Sequence, residues 1–599
     1  MRGLCFSIGL STLLASAAVA QNDSSGTDPV ASTTAGACRY GPISYVFIDN
    51  HNIFDERTED EGRFTWAYRV VNGLHMRTRR SVIARELLFG PGDCFEPIML
   101  EESERLLRSY GFLSQVDIFG VPQPDGTYHV IVNTRDDWST QLDVRVTMKS
   151  GVDFEGMRIR EANFLGRGQT LGAYYISRDV TRDYGVVYET PQLGGTRWDL
   201  RTALGATRAG TLFAETVAYP FVGDVSRWAA SQGFSREDRY FDYVAEAKDN
   251  DINHVLVPLR DKHFDLALVT RVGHPGSLTF LGGALTYEEL TYPGEPRLAD
   301  DDDIRDVSAA DSILLQPALA KRDPLNSIRL GVLLGHRNIT WVKRRGLDSM
   351  RGEQDVGLGA EVGLSAGRSL RALAPDDDMA GTLSFYSAAE FTSLLIAGRA
   401  RLDARRDFAA GPDVPEWQDV YGDAEVLAYI RPSWLARHTL VLRGIATAGW
   451  NTRTPFQLTL GGDRGLRGYR DNRFPGGRRI VLTAEERMFW GWPRPDILDL
   501  GSTVFVDVGR ILPGDVPYGE DSGWRATAGF GLRASFPAGS RTTYRFDVAV
   551  PVRPGTNAGD VRLILSVGEL IGLSTIFGDR QLERSRHERM AAELLRLNR

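Results

Sequence analysis

The sequence predicts a membrane-spanning antiparallel β-barrel of about sixteen strands, preceded by one small α+β domain of order β-α-α-β-β. Three observations carry that expectation. The chain opens on an export signal. No apolar stretch long enough for a helical span follows it. Its C-terminal two thirds contains long segments in which apolar and polar residues alternate.

The signal comes first. Arg2 precedes an apolar run over 4–20 that closes on Ala18-Val19-Ala20, a small-x-small cleavage site before Gln21. Cleavage there leaves 69 bases against 78 acids. That mild acidity argues against a nucleic-acid partner, which would want a basic face. After the signal no run of about 18 apolar residues occurs, so helical spans are excluded. A membrane protein of this composition can then only be a closed barrel, because lipid offers a spanning backbone no other partner for its polar groups. Residues 21–42, rich in Ser, Thr, Gly and Ala, read as a disordered leader.

The α+β domain is expected over 43–137. Residues 43–54 read as a strand, followed by an acidic, irregular stretch from Asp55 to Gly62. A helix is expected over 81–88, with Ile83 and Leu87 on one face. A second begins at Pro97, carries Leu100, Ser103 and Leu107 along one face, and stops at Gly111. Strands 116–119 and 128–134 flank Asp125-Gly126, a hairpin signal. Cys38 and Cys94 survive processing in an oxidising compartment, where a disulfide is permitted. The sequence leaves open whether they are bonded or are two free thiols.

The barrel is expected over 138–571. Residues 141–149 set Leu142, Val144, Val146 and Met148 against Asp143, Arg145 and Thr147. Residues 524–536, 542–552 and 561–567 repeat that alternation, which suits a wall with lipid on one side and a polar lumen on the other. The tail, 572–599, is charged and helix-prone, with Met590, Leu594 and Leu597 at helical spacing. It reads as a solvated periplasmic helix.

Nothing catalytic stands out. The nine histidines form no HExxH, and there is no GxSxG elbow and no GK[ST] loop. The acid runs at 300–303 and 376–378 lack ordered metal-ligand spacing. No enzyme, metal or cofactor is therefore expected.

One segment is distinctive. Residues 460–470 read LGGDRGLRGYR, and the strand 480–489 follows. Leu466-Arg467-Gly468-Tyr469 resembles the (L/V)RG(F/Y) motif of the BamA/TamA superfamily, carried on a loop folded back into the barrel. Companion motifs occur in order. Glu485 and Arg487 resemble its ExR, and Phe505-Val506-Asp507-Val508-Gly509 its FxDxG. Arg545-Phe546-Asp547 with Pro551 is similar to the penultimate strand, and Asn163-Phe164-Leu165-Gly166-Arg167-Gly168 to the element near the barrel's start. The N-terminal unit is similar to the family's POTRA domain through Arg85-Glu86-Leu87-Leu88-Phe89, Gly92-Asp93 and Ser103–Arg108. Parity puts Glu485 and Asp507 on the inward face of consecutive strands, so Arg467 reaches them only if its loop enters the lumen.

The resemblance implies an outer-membrane insertion, assembly or translocation factor that templates β-strands at a barrel seam, without covalent chemistry. Its partners would be outer-membrane lipid, client polypeptide and periplasmic accessory proteins. The alternative is a passive outer-membrane pore or surface antigen. Two departures from the family pattern weigh against the central assembly role: a single POTRA-like unit, and a last strand that is not the C-terminus.

Overall fold

The N-terminal strand places alternate residues inside and is followed by helices that cover the resulting apolar face. The computed structural model describes residues 38–54, 65–148, 152–178, 181–247, 252–300, 303–305, 307–308, 311–462, 465–492, 497–556, 560–568, 580–583, 585 and 591–595. The signal, the leader up to residue 37 and most of the acidic stretch after the first strand lie outside the described residues.

The N-terminal unit consists of β1 (Ile43–His51), α1 (Thr65–Leu74), α2 (Arg80–Glu86), α3 (Pro97–Ser109), β2 (Leu113–Pro122) and β3 (Tyr128–Asp136). The sheet order is β1-β3-β2, with β1 parallel and β2 antiparallel to the central β3. Ile83, Leu87, Leu100 and Leu107 pack on Val116, Val130 and Val132. Ser103, on the same face of α3, accepts a hydrogen bond from the Leu88 N–H at 2.9 Å. Cys38 and Cys94 are joined by a disulfide, with Cα atoms 5.3 Å apart. The expected irregular leader ends short of residue 42, because this bond and the Phe95 N–H to Gly41 carbonyl bond hold residues 38–42 against the unit. Helix α1 was not expected. Its signal is Tyr68 and Val71, which bury against Ile53, Phe54, Trp138 and Phe536 beneath the barrel.

The barrel strands are β4 (Thr140–Met148), β5 (Val152–Phe164), β6 (Gln169–Arg178), β7 (Thr181–Thr190), β8 (Asp199–Thr207), β9 (Gly210–Tyr219), β10 (Trp228–Ala247), β11 (Ile252–His274) and β12 (Ser277–Thr291). A hairpin of β13 (Arg297–Asp300) and β14 (Asp303–Arg305) follows, then helix α4 (Ser312–Leu319). The wall continues with β15 (Leu325–Arg345), β16 (Glu353–Ser369), β17 (Asp378–Glu390), β18 (Leu394–Asp407), β19 (Trp417–Ile430) and β20 (His438–Trp450). A separate ribbon of β21 (Leu458–Leu460) and β22 (Phe474–Gly476) precedes β23 (Arg478–Phe489), β24 (Asp499–Leu512), β25 (Arg525–Ser535), β26 (Tyr544–Pro551) and β27 (Arg562–Val567).

Strand β27 neighbours β4, which closes the barrel. Setting aside the β13–β14 hairpin, about 20 strands form the wall, which corrects the expected sixteen. The reason is the length of the connections. The pairing register leaves two residues between β8 and β9 and two between β11 and β12. Turns that tight free chain for four more strands.

Burial alternates along the wall. In β24, Val504 and Val506 are exposed while Phe505 and Asp507 are buried. Exposed Trp228, Trp434 and Trp492 mark the end with short turns, and Trp417, Trp450 and Trp524 mark the end with long loops. Two aromatic girdles flanking an outward apolar band are the mark of a barrel seated in a bilayer. The inward face is ionic: Arg329, for example, bonds Asp378 and Glu288.

The N-terminal unit docks at the short-turn end. Asn163, near the end of β5, donates to the Thr78 hydroxyl at 2.8 Å and accepts from the Gly168 N–H of the following turn at 2.8 Å. Helix α3 carries Arg108 onto Asp355 at 2.8 Å and Arg105 over the Trp341 ring. At the junction Asp137 is fully buried and accepts hydrogen bonds from the Ser540 hydroxyl and the Trp138 N–H, both at 2.8 Å. Burial pushes its carboxyl up to about 6, against the downward pull of those bonds. A raised acid favours the docked state when protonated. This contribution is complete below the ordinary aspartate value of 3.8 and is lost as pH rises through 6. Thermal midpoints of purified Asp137→Asn and the parent between pH 4 and 7 check this: the variant is expected to lack the parent's decline as pH rises from 3.8 to about 6. Parallel curves would refute it.

Candidate functional site: an arginine loop in the barrel lumen

The connection between β20 and β23 enters the barrel because its sequence permits tight reversal and supplies an apolar underside. Gly461 and Gly462 have φ of 137° and 57°, where an L side chain is strained. The Gly462 N–H bonds the Tyr469 carbonyl at 2.9 Å, and the Tyr469 N–H bonds the Leu466 carbonyl at 2.9 Å, so the tip is braced on itself. Leu458, Leu460, Leu466, Tyr469 and Phe474 then bury against Val481 and Ile511, which face inward from the wall.

This folding delivers Arg467 to the wall with no exposed surface. Its Nε and Nη2 donate to the two oxygens of Asp507 at 3.0 and 2.9 Å, and its Nη1 donates to Glu485 at 2.8 Å. Its guanidinium lies over the Phe505 ring at 3.3 Å from the centroid. A planar fork suits this two-pronged contact as an ammonium would not. Asp507 also accepts from the Thr483 and Thr527 hydroxyls, each at 3.0 Å. Arg487 donates to Glu485 at 2.9 Å.

The structure thus brings together Arg467, Glu485, Arg487, Phe505 and Asp507. Leu466 and Tyr469 lie in the apolar underside. Gly468 and Gly509 are places of close approach. A Cβ on Gly468 would lie 2.6 Å from the Val550 carbonyl carbon, and one on Gly509 would lie 3.2 Å from the Ile480 carbonyl oxygen. Two further members of this ionic cluster, Asp547 and Arg533, were not singled out as partners from sequence. Asp547 lies 3.6 Å from Arg467, and Arg533 bonds Asp547 at 2.6 Å. The signal was available, since Asp547 shares the inward parity of Arg545 in a motif already noted. Cys38 and Cys94 lie in the N-terminal unit, apart from this cluster.

The Gly468 contact is with backbone, which has little room to yield. Gly468→Ala is expected to displace the tip at a cost of about 1–3 kcal/mol. Protease cleavage within 451–477 checks this, and a loop as resistant as the parent's would refute it.

The C-terminal tail is a correction. It was expected to be a solvated periplasmic helix, but its described residues lie inside the barrel. Leu582 is fully buried in the apolar cluster under the loop, and Leu595 is buried against Val269, Phe280 and Leu333. Both patches are apolar surface on the inward parity of wall strands, and the tail's leucines cover them. Met590 and Leu597 lie outside the described residues.

Fold and site define a class: a transmembrane β-barrel with an arginine-tipped loop folded into its lumen and a small α+β unit at its short-turn mouth. That is the arrangement implied by the BamA/TamA resemblance. Among solved structures, BamA from Haemophilus ducreyi lacking POTRA domains 1-3 matches at 14% identity over 88% of this chain and 83% of that chain, with a TM-score of 0.32. CdiB from Escherichia coli matches at 12% identity over 88% of this chain and 76% of that one, with a TM-score of 0.40. CdiB from Acinetobacter baumannii matches at 12% identity over 88% and 74%, with a TM-score of 0.40. No family model and no curated protein matches the sequence.

Proposed function

We propose that this chain is an outer-membrane insertion or translocation factor that works by templating β-strands at the seam between β4 and β27. The observation that carries the reading is the shortness of the closing strand. β27 has 6 residues, against 9 in β4 and 23 in β11. Six residues extend roughly 20 Å. At a tilt of about 40° they rise only about 15 Å, less than the roughly 25 Å apolar band of such barrels. Part of the β4 edge is thus left without a full-length partner, and a client strand can add there by backbone hydrogen bonding. An unpaired backbone group in lipid costs several kcal/mol, so templated pairing lowers the barrier to insertion.

In this reading the short-turn end and the N-terminal unit face the periplasm, where the POTRA-like sheet receives clients or accessory proteins. The site holds and moves polypeptide without covalent chemistry. Purified full-length protein in phospholipid liposomes is expected to speed the folding of an added client barrel. No acceleration over empty liposomes would leave the passive pore as the better reading.

A further inference from the structure

The lumen already holds a segment of its own chain. β27 ends at Val567 on the short-turn side, yet Gln581, Leu582 and Ser585 lie beside the in-folded loop. There the Gln581 Oε1 accepts from the Thr459 N–H at 3.1 Å and from Arg479 at 2.8 Å, and its Nε2 donates to the Thr459 hydroxyl at 2.8 Å. The Ser585 hydroxyl donates to the Pro455 carbonyl at 2.9 Å. Leu582, between them, packs with Leu466 and Tyr469 of the loop tip.

The chain then reaches a second anchorage. The turn Ala591–Leu595 touches β10, β11, β15 and β16, which lie across the barrel from the β4–β27 seam. Leu595 is 4% exposed there. The two anchorages differ in chemistry, one a polar clamp on loop backbone and the other an apolar foot on the opposite wall. Together they fix described residues of the tail to two separate parts of the lumen wall. Solvation alone would place a charged segment outside the barrel, so its buried leucines and satisfied Gln581 indicate a fitted position.

We propose that the described tail residues, 580–583, 585 and 591–595, act as a built-in plug, which closes the lumen at rest, holds the arginine loop, and must leave before the lumen conducts. The inference rests on the barrel and not on the proposed insertion activity, so its test needs no client.

A Cβ built on Gly363 lies 3.6 Å from the Leu595 Cβ, within disulfide reach, and the closest obstacle is the movable Ser384 hydroxyl. Full-length protein carrying Gly363→Cys with Leu595→Cys is therefore expected to crosslink on oxidation and to be silent in planar bilayers. Dithiothreitol should restore openings, which the parent, its plug free to leave, is expected to show intermittently. Leu595→Cys alone controls for reduction of the Cys38–Cys94 bond. Truncation after residue 571 is expected to raise conductance severalfold. If the pair fails to crosslink, the foot is not where the proposal needs it. If the crosslinked protein conducts like the reduced one, or the truncated barrel conducts like the parent, the tail is no plug. Should the truncation fail to fold, the crosslinking arms still decide.

Discussion

Arg467→Ala is expected to abolish the acceleration of client folding in liposomes while leaving a folded barrel. The substitution strips Asp507 of two guanidinium bonds and leaves it only the Thr483 and Thr527 hydroxyls as side-chain donors. Glu485 fares better, because Arg487 remains on it. Orphaning one buried carboxylate costs about 3–5 kcal/mol. The barrel wall does not depend on this contact, so the cost falls on the loop, which should leave the lumen wall and become open to protease within 451–477. Arg467→Lys should rescue only part, since an ammonium cannot bond both oxygens of Asp507 and Glu485 from one position. Combining Arg467→Ala with Asp507→Asn removes the orphaned charge, so the two effects should be less than additive. A client-folding rate for Arg467→Ala equal to the parent's would refute the role while leaving the geometry intact.

The second large effect is expected at the mouth. Arg541, in the β25–β26 turn, donates to the carbonyls of Arg108, Tyr110 and Leu113, the last at 3.1 Å. The Arg108 and Tyr110 carbonyls lie at the C-terminal end of α3, where helix carbonyls lack intrahelical partners and a cation is favoured, and Leu113 opens β2. Arg541→Ala should cost about 1 kcal/mol for each carbonyl left to water. The N-terminal unit should then swing more freely against the barrel. Hydrogen exchange over 97–113 should rise, and client folding should slow without stopping. Unchanged exchange there would show that Arg108–Asp355 and the Asn163 turn hold the unit without Arg541.

Much of this was legible before the structure. The parity of β23 and β24 placed Glu485 and Asp507 inward, since a strand's side chains can face only two ways. The LRGY tip supplied the cation they need. What parity could not supply was the partner set around them. Asp547 and Arg533 come from strands further along, and only the closed wall brings Asp547 within 3.6 Å of Arg467, with Arg533 bonded to Asp547 in turn. Strand number was likewise a matter of turn length, which alternation does not record. Helix α1 was hidden because its apolar face, Tyr68 and Val71, is defined by what it covers rather than by a long periodic run.

The tail gives the sharpest contrast. Its charges and helical spacing describe a solvated helix as well as they describe a lumenal segment, because a barrel interior is itself polar and ionic. Local sequence therefore determined the alternating wall, the α+β unit and the arginine loop, each written in the chemistry of neighbouring residues. The closed barrel decided the rest. It created an inside, and only inside could Leu582 and Leu595 find apolar patches, Gln581 find Thr459, and Glu485, Asp507 and Asp547 from three wall strands converge on one guanidinium.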